Sequence, residues 1–207
     1  MDFFEVVTTQ RAIRRLKPDP IPDEVLRQIM DAAICAPSGG NRQGWSFLVV
    51  RDPAKRARLG DLYREAWGEL MKVPYYRDAA SAPPDSPAGK MLASARHLGE
   101  HLGEAPALIL ACIALDPGVK PTLTTGASIY PAVQNIMLAA RALGIGSCIT
   151  TIHKFRDAQV KDLLGIPADV ETAALIPLGY PRGKFGRPPR RPLREVAFAD
   201  GDRKSVV

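Results

Sequence analysis

The 207-residue chain predicts one domain, residues 1–207, that mixes helices with strands. Three observations carry this expectation. Val25, Leu26, Ile29, Met30, Ala33 and Ile34 repeat at helical spacing, as do Ile129, Val133, Ile136, Met137, Ala140 and Leu143. Pro106 to Ala114 is apolar without a break, the pattern of a central strand buried on both faces. Shorter β-type runs, Trp45 to Arg51 and Thr172 to Leu178, end at proline or glycine.

Taken in order, Phe3, Phe4 and Val7 put apolar residues on one side of a short helix ending near Thr9. Arg11-Ala12-Ile13-Arg14-Arg15-Leu16 then runs into Lys17-Pro18-Asp19-Pro20, where two prolines enforce an extended or turning path. Whether extended or wound into one helical turn, this stretch concentrates donors beside a bend. Pro22-Asp23-Glu24 opens the next helix, with proline suited to its first turn and acids complementing its dipole, and Pro37 stops it. Asp52-Pro53 caps a helix through about Lys72, with Leu59, Leu62, Ala66 and Leu70 on one face.

Residues 73–89 break the pattern around Ala82-Pro83-Pro84-Asp85-Ser86-Pro87; so long a loop suits a lid over a site or a disordered segment. A helix over 90–104 precedes the apolar strand. Pro131 interrupts the pattern over 126–143 and is tolerable in a first turn, so that helix is expected to start near Tyr130 and to stop at Gly144. Gly146 to Ile152 reads as a short strand, and Arg156 to Leu164 as a helix closed by Gly165. Residues 182–207, rich in Pro, Gly and Arg and poor in core residues, are expected to lie as an extended arm on another surface.

The formal charge of +6 is clustered: Arg11, Arg14, Arg15 and Lys17 near the start, and Arg182, Lys184, Arg187, Arg190, Arg191 and Arg194 near the end. A basic tail can serve nucleic acid, but this one has a single aromatic, Phe185, and no reading helix or zinc module. A small phosphate ligand or a solvated arm suits the clusters at least as well, and no nucleic-acid partner is expected. Cys35, Cys112 and Cys148 are odd in number and set among apolar neighbours, which points to buried thiols in a reducing compartment. The N-terminus lacks the basic and apolar regions of a secretion signal, and polar residues interrupt the one apolar run of bilayer length; a soluble, cytoplasmic chain with no membrane partner is expected.

His97-Leu98-Gly99-Glu100-His101 matches the H-x-x-E-H zinc pattern and would share a helix face. No second motif supplies a third ligand, so a surface or lid-base helix is the preferred reading and no metal is expected. There is no phosphate-cradling GxxxxGK[ST] loop, no G-x-G-x-x-G after a first strand, and no serine elbow; no side chain is named as catalytic. What remains is the loop Ala36-Pro37-Ser38-Gly39-Gly40-Asn41-Arg42-Gln43-Gly44-Trp45, whose glycines allow close backbone approach and whose Ser38, Asn41 and Gln43 add donors and acceptors. An ordinary turn would use the same residue types. Thr150-Thr151 fits plain strand propensity.

Arg11-Ala12-Ile13-Arg14, that loop, Pro106 to Cys112, Gln134-Asn135 with Ala139 to Cys148, and Gly179-Tyr180-Pro181 with Arg190-Arg191-Pro192-Leu193 together resemble the FMN-dependent nitroreductase family, in the right order over nearly the whole chain. The resemblance implies an α+β fold with a central, mostly antiparallel sheet flanked by helices, and an intertwined homodimer holding FMN at the subunit boundary. It implies NAD(P)H as co-substrate and a small acceptor, a nitroaromatic or quinone, reduced by ping-pong. Arg11 and Arg14, with Ala12 between them, match positions that meet the flavin phosphate and the ribityl or pyrimidine side. Arg190 matches a further phosphate contact, with Arg191 its close rival. Pro37, Ser38, Gly39 and Asn41 match the loop that reaches the ring from the partner subunit, and Thr150 and Thr151 fall where donors lie near flavin N5. Gln10, Ala12 and Gly44 depart from the commoner Arg, Ser and Pro. The Thr-Thr pair looks more like the iodotyrosine deiodinase-like branch, so dehalogenation or flavin consumption on the same scaffold is the alternative.

Overall fold

The computed structural model describes residues 1–116 and 118–200. Its centre is the apolar run: β2 (Ala107–Ala114) pairs antiparallel with β1 (Trp45–Val50) on one side and β4 (Val170–Gly179) on the other. A two-residue strand β3 (Gly146–Ser147) pairs antiparallel with β4, giving the sheet order β1-β2-β4-β3. A bulge between Ala111 and Cys112 shifts the β2–β4 register.

Alternation along β2 supplies two cores at once. Ala107, Ile109, Ala111 and Ile113 face α2 (Asp23–Ala33) and α6 (Leu123–Ala142), where Ile29, Val133 and Ile136 are buried. Leu108, Leu110 and Cys112 face the other side, against Leu59, Leu62 and Tyr63 of α3 (Pro53–Leu70) and Leu98 of α5 (Pro87–His101). The architecture is thus α+β, an antiparallel sheet wrapped by helices, as expected. The remaining helices are α1 (Phe3–Thr9), α4 (Pro74–Ala79) and α7 (Asp157–Leu164), the last closed by Gly165 at φ 66°.

Several local expectations need correction. On α1 the buried residue is Val6, while Phe3 and Phe4 are 64% and 72% exposed. α2 ends at Ala33, short of Pro37, which leaves Cys35 exposed; Cys112 and Cys148 are buried. The 73–89 stretch carries a full turn of helix in α4, started by Pro74, and α5 begins at Pro87 with Ser86 accepting from the Gly89 N–H. α6 starts at Leu123 and holds Pro131 inside it: Thr122 and Thr125 cap each other reciprocally, which secures a first turn ahead of the proline. The strand expected over 146–152 stops at Ser147, and only Thr150 rejoins the sheet, exchanging both backbone hydrogen bonds with Leu175 (3.0 and 2.9 Å).

The arm starts on its own chain. The Arg182 N–H donates to Arg15 O (2.9 Å), its Nε to Leu16 O (3.1 Å), and the buried Arg141 guanidinium lies 4.2 Å from the Phe185 ring centroid. Beyond, Leu193 and Val196 are exposed; residues 201–207 of the expected arm lie outside the described residues. No helix among the described residues is long and apolar enough to cross a membrane.

Candidate functional site

The segment from Arg11 to Arg14 is extended and pinned to β3. Ala12 bridges Ser147 in parallel, and the Ile13 N–H donates to Ser147 O at 2.9 Å. Ile13 turns inward onto Gly146, where an added Cβ would stand 2.8 Å from Ile13 Cγ2, so this approach requires glycine. Arg11 is exposed and Arg14 half-buried; neither guanidinium has an ion pair or side-chain hydrogen bond among the described residues.

Arg14 lines a cavity of about 330 Å³ together with Thr150 and Thr151. Tyr63, Trp67 and Leu70 of α3 form one wall; Tyr75 and Tyr76 of α4 and Met91 of α5 form the other. The expected lid segment therefore contributes two aromatic rings to this cavity, packed edge to face at 5.1 Å, with Tyr75 71% exposed. Thr150 is nearly buried. Its Oγ1 lies 2.8 Å from the Tyr63 hydroxyl and receives the Ile152 N–H at 3.4 Å. Burial pushes the Tyr63 phenol well above its ordinary value, which keeps it protonated. Burial also pushes the neighbouring Cys148 thiol up to about 11, leaving it inert as a nucleophile.

A polar cluster supports this loop from below. His153 is 1% exposed, and its Nε2 lies 3.2 Å from Thr172 Oγ1. Thr172 donates to the Asp157 carboxylate and accepts from Lys154 Nζ at 3.3 Å, while Lys154 also pairs with Glu171 (2.7 Å) and Asp157 (3.1 Å). Because the Thr172 hydroxyl proton goes to Asp157, His153 Nε2 must be the donor to Thr172. Nδ1 is then a bare acceptor, and it has no partner among the described residues. Burial, helped by the Lys154 charge and opposed by Asp157, pushes His153 down to about 4.

The glycine-rich loop lies elsewhere. Ser38 Oγ accepts from the Gln43 N–H (2.9 Å), the Gly39 N–H donates to Ser128 Oγ on α6 (3.0 Å), and Arg42 forks onto Asp116 at 3.0 and 2.6 Å. Asn41 and Gln43 hold φ of 53° and 50°, a left-handed conformation that side chains rarely adopt. Ser38 and Gly39 line a separate depression of about 430 Å³ with Arg42, Asp116 and Thr125. Pro37 and Asn41 are exposed and line neither hollow. Arg190 is exposed, donating to Pro189 O at 2.9 Å, and also stands outside both.

One chain thus gathers Arg14, Thr150 and Thr151 but not Ser38, Gly39, Asn41 or Arg190. His97 and His101 do share a helix face, their rings 4.3 Å apart, but they turn to Arg15 and Glu104; no group of three metal-ligating side chains forms among the described residues. Sequence reading passed over Tyr63 and Trp67. A tyrosine beside the buried stripe Leu59-Leu62-Ala66-Leu70 was the available signal, since a buried phenol must find a partner.

The family described as Nitroreductase family matches residues 7–180. An NADH dehydrogenase of Thermus thermophilus is 31% identical over 211 residues, covering 96% of each chain. Iodotyrosine deiodinase 1 of Rattus norvegicus is 28% identical over 189 residues, covering 87% of this chain and 62% of the rat protein. A crystal structure described as oxidized iodotyrosine deiodinase bound to FMN and 3-iodo-L-tyrosine superposes with a TM-score of 0.73 at 23% identity, covering 97% of this chain and 99% of the other.

Proposed function

The chain belongs to the nitroreductase family, and from that premise we propose that it is a cytoplasmic, FMN-dependent oxidoreductase that takes reducing equivalents from NAD(P)H and passes them to a small acceptor, a nitroaromatic or quinone, by ping-pong. The observation that carries this reading is the cavity beside β3. A guanidinium with no hydrogen-bond or ion-pair partner among the described residues, Arg14, shares it with two threonines and a wall of aromatic rings. Such a donor set suits a planar heteroaromatic ring with carbonyl and imine acceptors, and so fits an isoalloxazine.

When bound, FMN supplies the hydride chemistry, and the protein binds, orients and excludes water. Arg14 holds the pyrimidine or ribityl side, Arg11 and Arg190 (with Arg191 as rival) the phosphate, and Ala12 the extended backbone between Arg11 and Arg14. Thr150 and Thr151 donate toward N5. Pro37, Ser38, Gly39 and Asn41 serve the ring of a second copy of the chain. Two observations support that homodimer: the loop opens on a hollow of its own, away from Arg14, and α1 offers Phe3 and Phe4 to solvent. The 73–89 segment acts as the lid through Tyr75 and Tyr76 and sets which acceptor stacks on the ring. The chain's free thiols, Cys35, Cys112 and Cys148, suit a reducing compartment.

The likeness to a deiodinase, with a threonine hydroxyl held in the cavity, favours dehalogenation as the second reading. Incubation of purified protein with excess FMN, gel filtration and a visible spectrum test the first step. A yellow dimer that consumes NAD(P)H only with an acceptor present supports the proposal; a protein that stays colourless rejects it. Halide release from a halotyrosine, with little nitroaromatic reduction, would select the second reading.

A further inference from the structure

A second hollow, of about 300 Å³, adjoins the cavity and shares Arg14 and Leu98 with it. Its polar lining is Arg14, Arg15, Arg182, His97, His101 and Glu104. Two hydrogen bonds fix the outer arginines side by side: the Arg182 N–H donates to Arg15 O at 2.9 Å, and Arg182 Nε to Leu16 O at 3.1 Å. None of the three guanidiniums pairs with a carboxylate among the described residues. The one carboxylate lining the hollow, Glu104, is taken by His101 Nδ1 at 2.7 Å. Arg15 Nη1 faces His97 Nδ1 at 3.4 Å; a guanidinium only donates, so Nδ1 accepts and the ring proton sits on Nε2. Burial, then the charges of Arg15 and His101, hold His97 below its ordinary value. Positive charge is therefore in excess here, with guanidinium donors left for a bound anion.

Resting on the flavin reading above, we infer that this hollow binds the 2′-phosphate of the reducing dinucleotide, so that the co-substrate is NADPH rather than NADH. With the nicotinamide in the cavity, the dinucleotide can leave past Arg14 and Leu98, which line both hollows. A phosphomonoester carries nearly two charges and three acceptor oxygens on one phosphorus, whereas each unit of a diphosphate bridge carries one charge. Three guanidiniums against one committed carboxylate match the monoester better. Arg15 and His97 also line a further hollow of about 300 Å³, where Ala82, Pro84 and Ala93 offer the adenine an apolar seat. Arg15 and Arg182 thus read the one group by which the two dinucleotides differ.

The test compares kcat/KM for NADPH and NADH on the full-length, FMN-loaded protein with one quinone acceptor. Wild type should favour NADPH by at least about tenfold, from a charge-assisted contact that only the 2′-phosphate makes. Arg15→Gln should cut the NADPH value about tenfold and leave the NADH value within about threefold. Arg15→Lys, which keeps the charge without the fork, should fall between. Proton NMR gives a readout apart from turnover: the His97 titration should move up with NADP+ and stay with NAD+, because a bound dianion favours the charged ring. Equal wild-type values for the two dinucleotides overturn the inference. So does an equal loss for both in Arg15→Gln, which would put the diphosphate bridge here. Inorganic phosphate that raises His97 as far as NADP+ does at the same concentration would mark a site for free phosphate and also overturn it. In each of these cases the protein still binds FMN and turns over, so the flavin reading stands. A protein that takes up no FMN ends both.

Discussion

Buried His153 makes the protein acid-labile well above the range where its carboxylates titrate. Its folded-state value, about 4, lies below the ordinary 6.5. The unfolded chain therefore binds a proton that the folded chain refuses, and stability falls as pH drops from about 6.5 toward 4. That difference corresponds to about 3 kcal/mol in full, of which about 2 kcal/mol is lost by pH 5. The cause is visible: protonation at Nδ1 would place an unpartnered charge in the interior, close to Lys154. Urea unfolding at pH 7.5, 6 and 5 measures the loss directly. His153→Gln is the control, because its amide can still donate to Thr172 without titrating. The half-buried His97, also shifted downward, is present in both proteins and cancels. Wild type should lose about 2 kcal/mol more than His153→Gln between pH 7.5 and 5. Equal losses would refute the reasoning, whatever the absolute stabilities.

Three further outcomes follow from the site. Arg14→Ala removes a charge-assisted contact and should raise the FMN dissociation constant about thirtyfold, or about 2 kcal/mol, read by flavin fluorescence; an unchanged constant would remove Arg14 from the ring. Gly146→Ala drives a methyl into Ile13 and should cost about 1–3 kcal/mol in denaturant unfolding; a neutral substitution would show that the Arg11–Arg14 segment yields. Replacing Tyr75 and Tyr76 together by alanine should change the ranking of acceptors by kcat/KM with FMN affinity within about twofold, because both rings line the cavity from the 73–89 segment and are not part of its Arg14–threonine donor set. Loss of FMN would instead make them part of the cofactor cradle.

Much of the fold was legible because its signals are local. The apolar run of β2, the Asp52-Pro53 start of α3 and the Gly165 stop of α7 each follow from a few adjacent residues. Where two local signals compete, the sequence misleads: Pro131 argued for a late start to α6, and the reciprocal Thr122–Thr125 cap prevailed. Apolar periodicity also cannot say what covers a face. Phe3 and Phe4 look like core and are exposed, while the true anchor of α1 is Val6. The site was legible only through resemblance. Nothing in the spacing of Arg14 and Thr150 brings them together; the register of β3 on β4 and the Ile13–Ser147 hydrogen bond do. Tyr63 stayed hidden because its meaning lies in a partner far along the chain.

The middle strand is a party wall. Each β2 side chain up to Ile113 is buried on one side of the sheet or the other, so neither compartment owns the backbone between them. Loosening either side frees that backbone and opens its neighbour too. Heating should accordingly give one sharp calorimetric transition, with both halves of the molecule melting together.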